Sequence, residues 1–188
     1  SPNKKIKIAN KYNKEADVVL FKGDRLDLMK SMPDKSVKLI VTSPPYASNA
    51  IDYMIGSGVS GVDFIVVDCD AQDLYHSKAE KKIHIGKSLT YGLGAGTYSH
   101  IGRQAAEENK SELQDALKDA DLVFVACGLG GGTGTGASRV IAEIARNRGS
   151  LTIAVVTTPF SFEGATRTKV AEEGLKSLAE VVDTMIVI

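Results

Sequence analysis

Nine residues carry the densest chemical signal in the chain: Gly128-Leu129-Gly130-Gly131-Gly132-Thr133-Gly134-Thr135-Gly136, six of them glycine. A run so poor in Cβ atoms lets the backbone turn its N–H groups inward and lets an anion approach closely. A helix is expected to begin at residue 135, so its unpaired N–H groups and positive dipole end face the same point. Thr133 and Thr135 add hydroxyls. The chemistry is phosphate binding; a tight glycine turn between strand and helix is the plainer alternative. A P-loop is excluded, because it needs a Lys followed by Ser or Thr and the segment has no lysine. Gly132-Thr133-Gly134-Thr135-Gly136-Ala137 fits a looser dinucleotide-binding pattern. Yet Val156-Thr157-Thr158-Pro159 closes the next strand without the acidic residue that holds a ribose in that fold.

Two more loops could do chemistry, Gly92-Leu93-Gly94-Ala95-Gly96-Thr97 and Ser43-Pro44-Pro45-Tyr46. All three stand where strands hand over to helices, the edge at which open α/β sheets bind ligands. The elements that must position them alternate short β-branched runs with longer amphipathic ones, the pattern of βαβ units and a parallel sheet. Strands are expected at 18–21, 37–42, 64–68, 82–85, 122–126, 151–157 and 184–188, and helices at 25–32, 49–55, 101–117, 135–147 and 165–182. The run Leu122-Val123-Phe124-Val125-Ala126 is apolar throughout, as for a strand covered on both faces. Asn49, with Asp52 three residues on, suits an N-cap. Gly149, after Arg146 and Arg148, suits a helix stop. The expected fold is α/β: a three-layer, Rossmann-like, mostly parallel doubly wound sheet.

Composition narrows the setting. The 188 residues hold 23 Lys+Arg and 23 Asp+Glu, but residues 1–46 carry ten basic against five acidic side chains, and 47–188 thirteen against eighteen. Gly23 is the single glycine before residue 47, and seventeen follow it. Such a break suggests two pieces, 1–46 and 47–188, although short windows also fluctuate by chance. No run of about 18 apolar residues exists to cross a membrane, and no signal peptide opens the chain. Cys69 and Cys127 are too few and too far apart for a disulfide framework or a zinc site, so a reducing, cytoplasmic setting is expected. The sequence stops inside its last expected strand and looks cut.

Gly130-Gly131-Gly132-Thr133-Gly134-Thr135-Gly136 resembles the signature of the tubulin/FtsZ GTPases, and the chain is similar to FtsZ, the prokaryotic cell-division GTPase, from residue 48 onward. Val67-Asp68-Cys69-Asp70-Ala71-Gln72 resembles that family's Asn-Thr-Asp-Ala-Gln segment, with Asp for Asn and Cys for Thr. Gly92-Leu93-Gly94-Ala95-Gly96 resembles its γ-phosphate loop, and Val156-Thr157-Thr158-Pro159-Phe160 with Phe162-Glu163-Gly164 and Arg167 its ribose and phosphate segment. The resemblance implies GTP or GDP as ligand, with Mg2+ as an accompanying ion, and self-association as a further property. It implies a nucleotide-binding set of Asn49, Asp70, Gly94, Ala95, Gly96, Gly130, Gly131, Gly132, Thr133, Gly134, Thr135, Gly136, Glu163 and Arg167. Glu163 would hold ribose hydroxyls and Arg167 would stand near the terminal phosphates. No catalytic residue and no protein metal ligand is assigned.

Residues 1–46 resemble a different family, the DNA amino-methyltransferases, through Phe21-Lys22-Gly23-Asp24, Met32-Pro33-Asp34 and Thr42-Ser43-Pro44-Pro45-Tyr46. That resemblance implies a loop, Ser43, Pro44, Pro45 and Tyr46, that receives a flipped base. No aromatic-x-Gly-x-Gly turn for S-adenosylmethionine is present, so neither methyl transfer nor a DNA partner is expected. One strand, 37–42, would end this segment and open the FtsZ-like one, as in a chimera. A strand at 18–21 cannot also pair beside it in an order 3-2-1-4-5-6, so it is expected at an edge or displaced. Pro44 and Pro45 have no N–H to offer where the FtsZ family carries a glycine loop. Two lost hydrogen bonds to phosphate would cost about 3–6 kcal/mol. The expected function is that of an FtsZ-type GTP-binding domain, weak or inactive in turnover; a methyltransferase fragment and a chimeric scaffold without activity are the alternatives.

Overall fold

A computed structural model describes residues 6–9, 18–21, 37–42, 46–59 and 61–188. The expected helix at 25–32 and the loop residues Ser43, Pro44 and Pro45 lie outside them. Six parallel strands form the main sheet in the order β5-β4-β3-β6-β7-β8: β3 (Val37–Thr42), β4 (Val62–Asp68), β5 (Lys81–His84), β6 (Leu122–Gly128), β7 (Leu151–Thr157) and β8 (Thr184–Val187). The order reverses between β3 and β6, which pair in register from Val37↔Leu122 to Thr42↔Cys127. A ligand edge is therefore expected beyond Thr42 and Gly128. β1 (Ile6–Ala9) and β2 (Val18–Phe21) form a separate two-stranded parallel sheet. The strand at 18–21 is thus displaced from the main sheet, as its topology requires, and β1 is an addition to the expected set.

Alternation along the strands sets up three layers. Ile40, Ile65, Val67, Val123 and Val125 point into one core with the helices α4 (Ser99–Glu108), α5 (Lys110–Ala116), α6 (Gly132–Asn147) and α7 (Ala165–Ala179). Val41 and Val66 point to the other face, where Ile51 of α1 (Tyr46–Gly56) and Leu74 of α2 (Ala71–His76) cover them. α3 (Lys87–Thr90) is a single turn before the glycine loop at 92–97. β6 is not buried on both faces, contrary to its apolar sequence: Val123, Val125 and Cys127 are buried, while Leu122, Phe124 and Ala126 are half-buried. Among the described residues, α1 and α2 pack over β3 and β4 and leave this side of β6 thinly covered.

Helix boundaries differ from expectation for local reasons. The helix expected over 101–117 is two, broken at Asn109, whose side-chain oxygen accepts the Gly86 N–H at 3.0 Å. α1 begins at Tyr46, so Asn49 lies inside the helix and is not its N-cap. α6 begins at Gly132, three residues earlier than expected, and stops before Gly149 at φ +88°. Among the described residues, no helix is long and apolar enough to cross a membrane.

Among the described residues, α4 and α6 pack closely through glycines. A Cβ on Gly136 would collide with the Ser99 carbonyl, and one on Gly102 with the Gly132 carbonyl. Both obstacles are backbone, which cannot swing away. Gly136→Ala is expected to cost about 3 kcal/mol or more. Gly56→Ala, with nothing within 4 Å of the new methyl, should stay within about 1 kcal/mol of the parent. Urea unfolding of the two variants checks the contrast.

Candidate functional site

The carboxyl ends of β4, β6 and β7 open on a cavity of about 460 Å³. Four segments meet there. The first is the end of β4, where Asp68 is buried and Asp70 begins α2. Asp70 is a true N-cap: its Oδ1 accepts the N–H groups of Gln72 at 2.8 Å and Asp73 at 3.3 Å.

The second segment is the loop before α4. Gly92, Gly94 and Gly96 all take positive φ, +79°, +77° and +56°, a conformation that costs other residues strain. An isolated bridge between Asp70 and Leu93 ties this loop to the first segment.

The third is the turn from β6 into α6. Gly130, at φ +101°, donates its N–H to the buried Thr135 Oγ1 at 2.9 Å. Gly132 donates to the Gly96 carbonyl at 2.7 Å, and a Cβ there would meet the Ala95 carbonyl at 2.6 Å. The remaining N–H groups of the first turn of α6 have no carbonyl within their own helix to bond, which makes this end an anion cradle.

The fourth segment follows β7, where Thr157, Thr158 and Pro159 reach the cavity. Beyond them Glu163 accepts the Phe160 N–H at 2.9 Å on Oε1 and Arg167 at 2.8 Å on Oε2. These two partners, the Phe160 N–H first, hold the Glu163 carboxyl below its ordinary pKa. A carboxylate has about four acceptor sites, so Glu163 keeps room for further hydroxyl donors.

Asp70, Gly94, Ala95, Gly96, Gly131, Gly132, Thr133, Glu163 and Arg167 of the expected set line one cavity. Thr135 and Gly136 have other work: Thr135 braces Gly130, and Gly136 lets α6 lie against α4. Gly130 is held at its positive φ close to the Arg167 carbonyl, and Gly134 sits within the first turns of α6. Asn49 is on α1, and Tyr46 opens that helix. Cys69 and Cys127 are both free and buried, and burial pushes both thiols up to about 11, so neither is a nucleophile at neutral pH.

The expected binding set leaves out Asp68, although it falls in the segment that resembles the family's Asn-Thr-Asp-Ala-Gln. Asp68 is 3% exposed, its Oδ1 accepts the Asp70 N–H at 2.9 Å, and its Oδ2 is buried without a partner among the described residues. Burial pushes its pKa up to about 7, helped by the nearby charges of Asp73 and Asp70. The signal in the sequence was an acid closing the apolar strand Phe64-Ile65-Val66-Val67. Among the described residues, no cluster of three or more His, Cys, Asp or Glu side chains could hold a metal ion.

The family model for the Tubulin/FtsZ family, GTPase domain, matches residues 46–188. The chain belongs to that family. Cell division protein FtsZ 1 of Pyrococcus furiosus is 58% identical over 140 residues, 74% of this chain and 38% of that protein. Among solved structures, an empty FtsZ dimer from M. jannaschii superposes with a TM-score of 0.79 at 44% identity, covering 87% of this chain and 47% of that one. A GDP-bound CetZ1 monomer from Haloferax volcanii gives 0.71 at 25% identity, covering 80% and 50%. This chain thus spans about two-fifths of the length of the curated relative.

The unpaired Asp68 has a consequence for stability. Its folded pKa, about 7, exceeds the ordinary 3.8, so the folded chain holds a proton that the unfolded chain releases. The stability linked to this proton is complete below about pH 4 and is lost as pH rises through about 7. Asp68→Asn should therefore stabilise the fold at pH 8 by on the order of 2–4 kcal/mol, with the gain vanishing below pH 4. Denaturant midpoints across that range measure it.

Proposed function

We propose that this chain binds a guanine nucleotide, GTP or GDP, at the carboxyl edge of its sheet, as the nucleotide-binding part of an FtsZ-type cell-division GTPase. The single observation that carries this reading is the convergence of the 94–96 loop, the first turn of α6 and the Glu163–Arg167 pair on one cavity. The N–H groups at the start of α6 would take the phosphates, with Thr133 adding a hydroxyl. Arg167 would share its charge between Glu163 and the outer phosphates, and Glu163 would accept ribose hydroxyls. Mg2+ would be held chiefly by the nucleotide phosphates, since the described residues offer no cluster of three or more His, Cys, Asp or Glu side chains. Binding is assigned without a catalytic residue. Self-association, a cytoplasmic setting and reduced turnover belong to the same reading.

Pro44 and Pro45 weaken the proposed binding, because neither can donate an N–H to phosphate. The reading of residues 1–46 as a separate methyltransferase-like piece rests on the sequence motifs around Thr42-Ser43-Pro44-Pro45-Tyr46 alone. Binding of S-adenosylmethionine or duplex DNA would support catalytic ancestry in that piece. Silence to both would leave it as scaffold.

Titration of the folded chain with GTP, with ATP as control, tests the main reading. Calorimetry is expected to show GTP-selective binding, weakened by about a hundredfold or more relative to a chain with a glycine loop at 43–45. A cooperatively folded chain that binds neither nucleotide overturns it.

A further inference from the structure

We propose that Asp68, in its neutral form, donates a hydrogen bond from Oδ2 to an anionic oxygen of the ligand in this cavity, so that ligand binding is coupled to one proton on the protein. The inference rests on the nucleotide reading above. Asp68 lines the cavity and is 97% buried by its 3% exposure, yet Oδ2 has no partner among the described residues. Oδ1 already accepts the Asp70 N–H at 2.9 Å, so a proton on this carboxyl resides on Oδ2. An ionised Oδ2 would offer a phosphate only repulsion, whereas a protonated one offers the donor that a phosphate oxygen lacks from any other carboxylate here.

Burial, aided by the charges of Asp73 and Asp70 on the α2 side and opposed by the Asp70 and Cys69 N–H groups, brings the Asp68 pKa to about 7. Cys69 follows in the chain with its thiol pushed up by burial. His84 of β5 lies in register with Asp68, but its ring donates to the Cys69 carbonyl at 3.2 Å. Across the cavity Arg167 is engaged with Glu163. A carboxylic acid kept neutral by its site so that it can donate is a known catalytic device; here the same physics serves binding.

GDP in a metal-free buffer is the probe, with Asp68→Asn as comparison, since its amide donates at every pH. Phosphate itself titrates with a pKa of about 6, so the two proteins are compared at each pH and that contribution cancels. Equal affinities within about threefold are expected at pH 5.5, and wild type weaker by about tenfold or more at pH 8.5. Calorimetry of wild type in two buffers of different ionisation enthalpy should show uptake approaching one proton per GDP at pH 8, absent in the variant. This readout stands even if the variant folds poorly. Affinity ratios independent of pH, or no proton uptake by wild type, overturn the proposal. A wild-type advantage that grows with pH and requires magnesium assigns the carboxylate to a cation and overturns it too. Absence of GDP binding by both folded proteins at every pH instead removes the nucleotide reading itself, and the proposal with it.

Discussion

Helix α6 enters the sheet edge with Gly132 so close to the Ala95 carbonyl that no Cβ fits, and its N–H is spent on the Gly96 carbonyl. One turn later Gly136 rests on the backbone of Ser99, while Gly102 of α4 rests on Gly132. This backbone-to-backbone seam determines where the positive end of the α6 dipole lies. It also turns two loops that are far apart in sequence, 92–97 and 129–131, into one cradle. A methyl group anywhere along the seam would push α6 outward and separate the cradle's halves, so the site depends on packing before it depends on any ligand.

The cavity is an anion cradle with acidic walls, and the structure resolves that conflict residue by residue. Asp70 gives Oδ1 to the N-terminus of α2, where a negative charge is welcome. Glu163 is matched by Arg167 and the Phe160 N–H. Asp68, desolvated beside Asp70 and Asp73, retains its proton up to about neutral pH. Of the four acids that line the cavity, Asp70 caps a helix, Glu163 is paired and Asp68 is neutral, which leaves Asp73 as the one without such an arrangement among the described residues.

The six-stranded order and the two glycine loops at its edge, 92–97 and 128–136, were legible because they rest on short-range patterns: apolar strands, glycine punctuation and a stop at Gly149. What was not legible depends on tertiary contacts. Glycine density reads as ligand access, but Gly132, Gly136 and Gly102 are required by a neighbouring backbone that no local pattern reveals. Thr135 reads as a ligand hydroxyl and is a brace, because the partner of its oxygen, the Gly130 N–H, is fixed by a loop conformation rather than by composition. Asp68 ends an apolar strand inside the segment resembling Asn-Thr-Asp-Ala-Gln, and neither feature marks it as buried. Only burial on all sides makes it a titrating group near neutrality. The continuous apolar run of β6 implied two covered faces, but the cover over the far face comes from α1 and α2, whose reach is set by the connection lengths.

The same distinction applies to the central strand of the sheet. β3 is paired over all six residues on both sides, with β4 from Val37↔Val62 to Thr42↔Val67 and with β6 from Val37↔Leu122 to Thr42↔Cys127. Lys38 anchors the opposite end of the strand, donating to the carbonyls of Ala116 at 3.0 Å and Lys118 at 2.7 Å. None of these bonds uses the residues after Thr42. The sheet therefore specifies the register of its central strand independently of the loop that follows. Fold and the proposed binding separate at residue 42, because the ladders that define the central strand end at Thr42↔Val67 and Thr42↔Cys127.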